Sequence, residues 1–90
     1  MQEEIVMLDL NPSFTYDDVT RSLNEHIEFT ASLVRDYRTQ GKPGEARLLA
    51  NSLSGAFALW ERITRGQQRK DDALRLEQAI GRLQAEATPG

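Results

Sequence analysis

The only histidine, His26, stands beside Glu25 and Glu28. An imidazole near carboxylates is the minimum from which a general base or a metal site is built. Neither site follows here. The chain has no cysteine and no second histidine, and the two glutamates are neighbours on one helical stretch, not ligands converging from separate elements. Asp17, Asp18, Glu25 and Glu28 form an acidic set. A hydrolytic carboxylate pair needs a cleft that raises one pKa, and a thin helical hairpin offers none, so this set reads as a solvated helix face. Gly41-Lys42-Pro43-Gly44 lacks the GxxxxGK[ST] spacing of a phosphate loop and follows a helix instead of a strand. No nucleophile elbow is present. The sequence therefore predicts no catalytic residue, no cofactor and no metal, with His26 a structural or surface residue.

Two other groups carry binding chemistry. Arg62, Arg65, Arg69 and Lys70 cluster with few acids among them, the pattern of a phosphate-binding patch. Residues 1–45 hold nine acids and four bases, and residues 46–90 hold five acids and seven bases. The whole chain nevertheless carries a net charge of −3, whereas nucleic-acid domains show a much stronger basic footprint. Phe57 and Trp60, one helical turn apart, are the largest apolar groups. They are either core or the anchor of an interface, where tryptophan dominates binding energy.

The elements that position these groups are helical. Thr15 precedes Asp18 by three residues, a capping-box spacing, and Asp17 and Asp18 fall where a helix dipole favours anions. Val19, Leu23, Ile27, Thr30, Leu33, Val34 and Tyr37 then recur at three and four, Arg35 and Arg38 lie in the last turn, and Gly41 is a C-terminal cap. This predicts a helix over about 16–40. The short Gly/Pro connection predicts an antiparallel neighbour over about 45–65. Its main stripe is Leu49, Leu53, Ala56, Phe57, Trp60 and Ile63. A second row, Leu48, Ser52, Gly55 and Leu59, widens the apolar arc beyond what one neighbour needs, and its small residues permit a close backbone approach. After a polar break at 66–70, Asp71-Asp72 opens a third helix over about 71–87. There Ala73, Leu76, Ile80, Leu83 and Ala87 are spaced as a coiled-coil seam. A continuous helix from 45 to 87 is the alternative, since Gly66 costs only about 1 kcal/mol in a helix interior. The apolar stretch Ile5-Val6-Met7-Leu8-Asp9-Leu10, ended by Asn11-Pro12, reads as an apolar arm or a short strand. Helix content is expected to exceed about 60%, since these spans cover about 63 residues.

Ninety residues, 39% apolar and 28% charged, set one small globular domain. On general size scaling, folding removes only about 64% of the chain surface from water, which leaves one thin core and excludes barrels and two-domain nucleotide-binding folds. Without disulfides, stability must come from helix packing or association. The longest apolar run, Ile5 to Leu8, is too short for a membrane span, and Met1-Gln2-Glu3-Glu4 is acidic where a secretory signal is basic. A cytoplasmic location is expected, and the arginine bias (nine arginines, two lysines) suits a GC-rich genome.

The stretch Tyr37…Gly41…Ala46…Leu49-Ala50 resembles the middle of a tetratricopeptide-type hairpin, with one unit visible. The wider stretch 19–66, through Leu23, Ile27, Leu33, Gly41, Ala46, Leu53, Ala56 and Ile63, resembles the small E-class co-chaperones of the type III secretion needle. The segment at 5–10 and the third helix depart from that pattern. The resemblance implies a cytosolic antiparallel hairpin that binds a larger chaperone and keeps an aggregation-prone subunit in solution.

The expected fold is all-α: an antiparallel helical hairpin or three-helix bundle with a short apolar N-terminal arm or strand. The expected function is a non-catalytic protein–protein interaction module, an adaptor, co-chaperone or inhibitor. Its partner, another protein or a second copy, would be held through Leu48, Leu49, Ser52, Leu53, Gly55, Phe57, Leu59, Trp60 and Ile63. The alternative is a small nucleic-acid-associated regulator using the basic cluster at 62–70.

Overall fold

A computed structural model of the chain describes residues 14–88. Of these residues 84% are helical and none lies in a strand. The segment at 5–10, read from the sequence as an arm or strand, lies outside the described residues.

Helix α1 runs Tyr16–Thr39, α2 Pro43–Ile63 and α3 Lys70–Ala87. The start of α1 is set by chemistry visible in the sequence. The Asp18 backbone N–H donates to Thr15 Oγ1 at 3.1 Å, and the Thr15 backbone N–H donates back to Asp18 Oδ2 at 3.2 Å, a complete capping box. The Thr15 backbone N–H, the Arg21 guanidinium 2.7 Å away and the Thr15 hydroxyl all favour the ionised carboxyl, and hold Asp18 below the ordinary 3.8. Phe14 and Val19 occupy the hydrophobic-staple positions around this cap and line one small cleft.

The end of α1 is equally local in origin. The Lys42 N–H donates to Tyr37 O at 2.8 Å and the Gly41 N–H to Arg38 O at 3.1 Å, with Gly41 at φ +76°. This is the Schellman arrangement, and only glycine enters that backbone region without strain. Helix α2 begins at Pro43, two residues earlier than the sequence spacing suggests. Proline fits the first helical position, where the missing N–H has no partner to lose. Helices α2 and α3 are separate. Thr64 caps α2, its N–H and its hydroxyl both donating to Trp60 O. Gly66 then turns the chain at φ +86°, so the alternative of one helix from 45 to 87 is set aside.

The packing is up-down-up. Tyr16 and Thr20 near the start of α1 meet Trp60 near the end of α2, so these two helices are antiparallel. Gln84 of α3 reaches Ser54 of α2. Tyr16 meets Asp72, and Arg35 lies beside Glu86, so α1 and α3 run in the same direction. Each helix contributes a seam spaced by fours and threes, as in a coiled coil. The seam of α1 is Thr20, Leu23, Ile27, Thr30 and Val34. That of α2 is Ala46, Ala50, Leu53 and Trp60, and that of α3 is Leu76, Ile80, Leu83 and Ala87. Small alanines at 46 and 50 are buried near the start of α2, and the large Trp60 is buried near its end.

Two glycine variants separate backbone geometry from helix propensity. Gly81 lies in the interior of α3 with open space where a side chain would begin, so Gly81→Ala should raise stability by roughly 0.5–1 kcal/mol. Gly66→Ala forces an L-residue into the left-handed region and should cost about 1–2 kcal/mol. Urea unfolding of both variants beside the natural chain measures the opposite signs.

Candidate functional site

The nine residues expected to meet a partner divide between the core and the surface. Leu53 is fully buried and Trp60 is 2% exposed. Both are corrected from partner contacts to intramolecular core. The reason is the third helix, which together with α1 covers the inner stripe of α2. Leu49 and Phe57 are half-buried and pack against that core. Leu48, Ser52, Gly55, Leu59 and Ile63 remain exposed; Leu48 is 71%, Leu59 57% and Ile63 54% accessible. The row Leu48, Ser52, Gly55, Leu59 therefore lies on the outer side of α2, with Leu59 also at the edge of the groove towards α1.

Trp60 organises its end of the bundle. Its ring stacks on Phe57 with centroids 5.6 Å apart and tilts against Tyr16 at 6.1 Å. Its indole N–H donates to Thr20 Oγ1 at 2.9 Å, so the buried polar atom is satisfied. Around it runs a polar clamp. The Tyr16 hydroxyl donates to Asp72 Oδ2 at 2.8 Å and accepts the Arg69 backbone N–H at 3.1 Å. Arg75 pairs with the other Asp72 oxygen, and the Arg69 guanidinium lies 5.2 Å from the centre of the Tyr16 ring and 3.3 Å from Asp17 Oδ1. Thr64 and Gln68 close the same end, the Gln68 amide donating to the Thr64 hydroxyl and to Glu61 O. Among the described residues no buried side-chain polar atom lacks a partner.

This clamp is where residue type misleads. Thr20 and Asp72 are buried and Tyr16 half-buried, although threonine and aspartate are usually outside. The signal available was register: Tyr16 and Thr20 continue the four-three seam of Leu23 and Ile27 backwards.

Beside the outer row runs an open apolar groove between α1 and α2, about 250 Å³ in volume, lined by Val19, Leu23, His26, Ala56, Leu59, Ile63 and Trp60. His26 is exposed at this groove, among apolar side chains and Ser22. Among the described residues no three histidines, aspartates or glutamates are placed to hold a metal. The basic cluster is split in its employment. Arg62 closes α2, Arg65 lies in the following turn and Lys70 opens α3, whereas Arg69 is engaged by Asp17 and Tyr16. Among the described residues no helix is long and apolar enough to cross a membrane.

No protein-family model matches the chain, and neither curated proteins nor solved structures give a match. The physical site alone therefore carries the functional argument. It consists of an exposed leucine row on α2 and an apolar groove next to it.

The roles of Trp60 and His26 are separable. Trp60→Ala should lower stability by roughly 3–5 kcal/mol, a large part of what a domain this size has, while His26→Ala should change it by less than about 0.5 kcal/mol. Thermal unfolding of the two variants side by side measures both.

Proposed function

We propose that this chain is a non-catalytic protein-interaction module, an adaptor, co-chaperone or inhibitor, whose binding face is the outer side of α2. The observation that supports this reading is the exposure of Leu48, Leu59 and Ile63 on a helix whose opposite side is already fully packed. A core that was short of apolar residues would have drawn them inward. Leucines left outside a satisfied core, on one helix and in one row, are what a helix-binding surface requires. Ser52 and Gly55 at the middle of the row keep it low, so a second helix can approach closely. In this reading the chain works in the cytoplasm of a bacterium, needs no cofactor and acts by occupying an apolar surface of its partner.

The test places a photo-crosslinking residue at Leu48 or at Leu59 in the native host, with Arg82 on α3 as the control position. The reading predicts protein crosslinks at Leu48 and Leu59 and few at Arg82. Crosslinks confined to nucleic acid, or equal at all three positions, contradict it and favour the basic cluster at 62–70.

A further inference from the structure

The outer row of α2 has an internal symmetry that selects one kind of occupant. Leu48, Ser52, Gly55 and Leu59 are spaced four, three, four, which reads the same from either end. The midpoint falls between Leu53 and Ser54. A second α2 laid antiparallel about a two-fold axis at that point brings Leu48 opposite the partner's Leu59, and Ser52 opposite the partner's Gly55. Each large residue meets a large one, and each small residue meets a small one. Spacing by fours and threes is also the register in which two helices interlock.

The charges at the two ends obey the same symmetry. Glu45 lies three residues before Leu48, and Arg62 lies three residues after Leu59. Both are exposed, and neither pairs with another described residue of its own chain. The same axis places Glu45 opposite the partner's Arg62, and Arg62 opposite the partner's Glu45. An isologous pair of helices is thereby closed at each end by opposite charges. The parallel alternative sets Glu45 against the partner's Glu45 and Arg62 against the partner's Arg62. The centre of the row is suited to close approach. Gly55 has open space where a side chain would begin, and the Ser52 hydroxyl is turned back onto Leu49 O at 2.6 Å, satisfied within its own helix.

We infer that the outer face of α2 binds a second copy of this chain, antiparallel about a two-fold axis between Leu53 and Ser54, with Glu45–Arg62 pairs at both ends. This rests on the interaction-module reading and names the partner of that surface. The seam from Glu45 to Arg62 is about 26 Å long. One helix face of that length buries less than a standard interface, so the dimer should be reversible, with dissociation in the micromolar range.

The test is sedimentation equilibrium on the full chain and its charge variants, from micromolar to near-millimolar concentration, with circular dichroism confirming that each variant is folded. The natural chain should show a reversible monomer–dimer equilibrium. Glu45→Arg and Arg62→Glu should each weaken it roughly tenfold, since two attractions become two repulsions. The double variant should recover the natural affinity, and an equimolar mixture of the two single variants should form the heterodimer. Self-association that ignores the single charge changes overturns the proposal. So does a chain that stays monomeric throughout. If that monomer still crosslinks a different protein at Leu48 and Leu59, only the self-pairing fails; if it crosslinks none, the interaction reading fails with it.

Discussion

The hydrogen bond from the Trp60 indole to the Thr20 hydroxyl, 2.9 Å long and buried, is the constraint around which the bundle is arranged. An indole is too large to sit between two helices of this length without a third to cover it, and its N–H is too costly to bury unpaired. Thr20 supplies the acceptor from α1, and Phe57 and Tyr16 supply the aromatic neighbours. At this same end α3 starts beside the N-terminus of α1. The Tyr16–Asp72 hydrogen bond and the Arg69–Asp17 pair hold it there. At the opposite end Arg35 and Arg38 of α1 share Glu86 of α3, and the small Ala46 and Ala50 are buried on α2.

That arrangement decides what α2 can offer to other molecules. With its inner stripe shared between α1 and α3, the helix turns Leu48, Ser52, Gly55 and Leu59 outward on a rigid, fully packed support. The face is shallow and carries few charges along its centre, with Glu45 and Arg62 at its ends. Such a surface selects a helix more readily than a small molecule, which needs a concave pocket. The groove of Val19, Leu23, Ala56, Leu59 and Ile63 continues the apolar surface towards α1 and widens the contact available at the Ile63 end.

Much of the architecture was legible in the sequence, and the misses have physical causes. The capping box at Thr15 and Asp18, the cap at Gly41 and the seam of α3 are short-range chemistry, which residue spacing encodes directly. The helical class followed from the three periodic stretches. The start of α2 was placed late because Pro43 breaks helices everywhere except in the first turn. The wide apolar arc of α2 was visible, but periodicity alone does not state which part of an arc a third helix will cover. Hence Leu53 and Trp60 were grouped with Leu48 and Leu59, although burial puts them on opposite sides of the same helix. Thr20 and Asp72 were invisible for a different reason. Their burial depends on partners forty residues away on α2 and fifty-six away on α1 respectively, and no local pattern carries that information.

The claim that Trp60 belongs to the fold of a single chain, and not to a partner interface, is tested most directly by its own fluorescence. It is the only tryptophan, so the signal has one source. In dilute solution, where association is negligible, the account predicts blue-shifted emission and weak quenching by acrylamide, both unchanged as the concentration is raised. Red-shifted, readily quenched emission that moves to the blue only as the chain associates would place Trp60 at an interface and contradict the account.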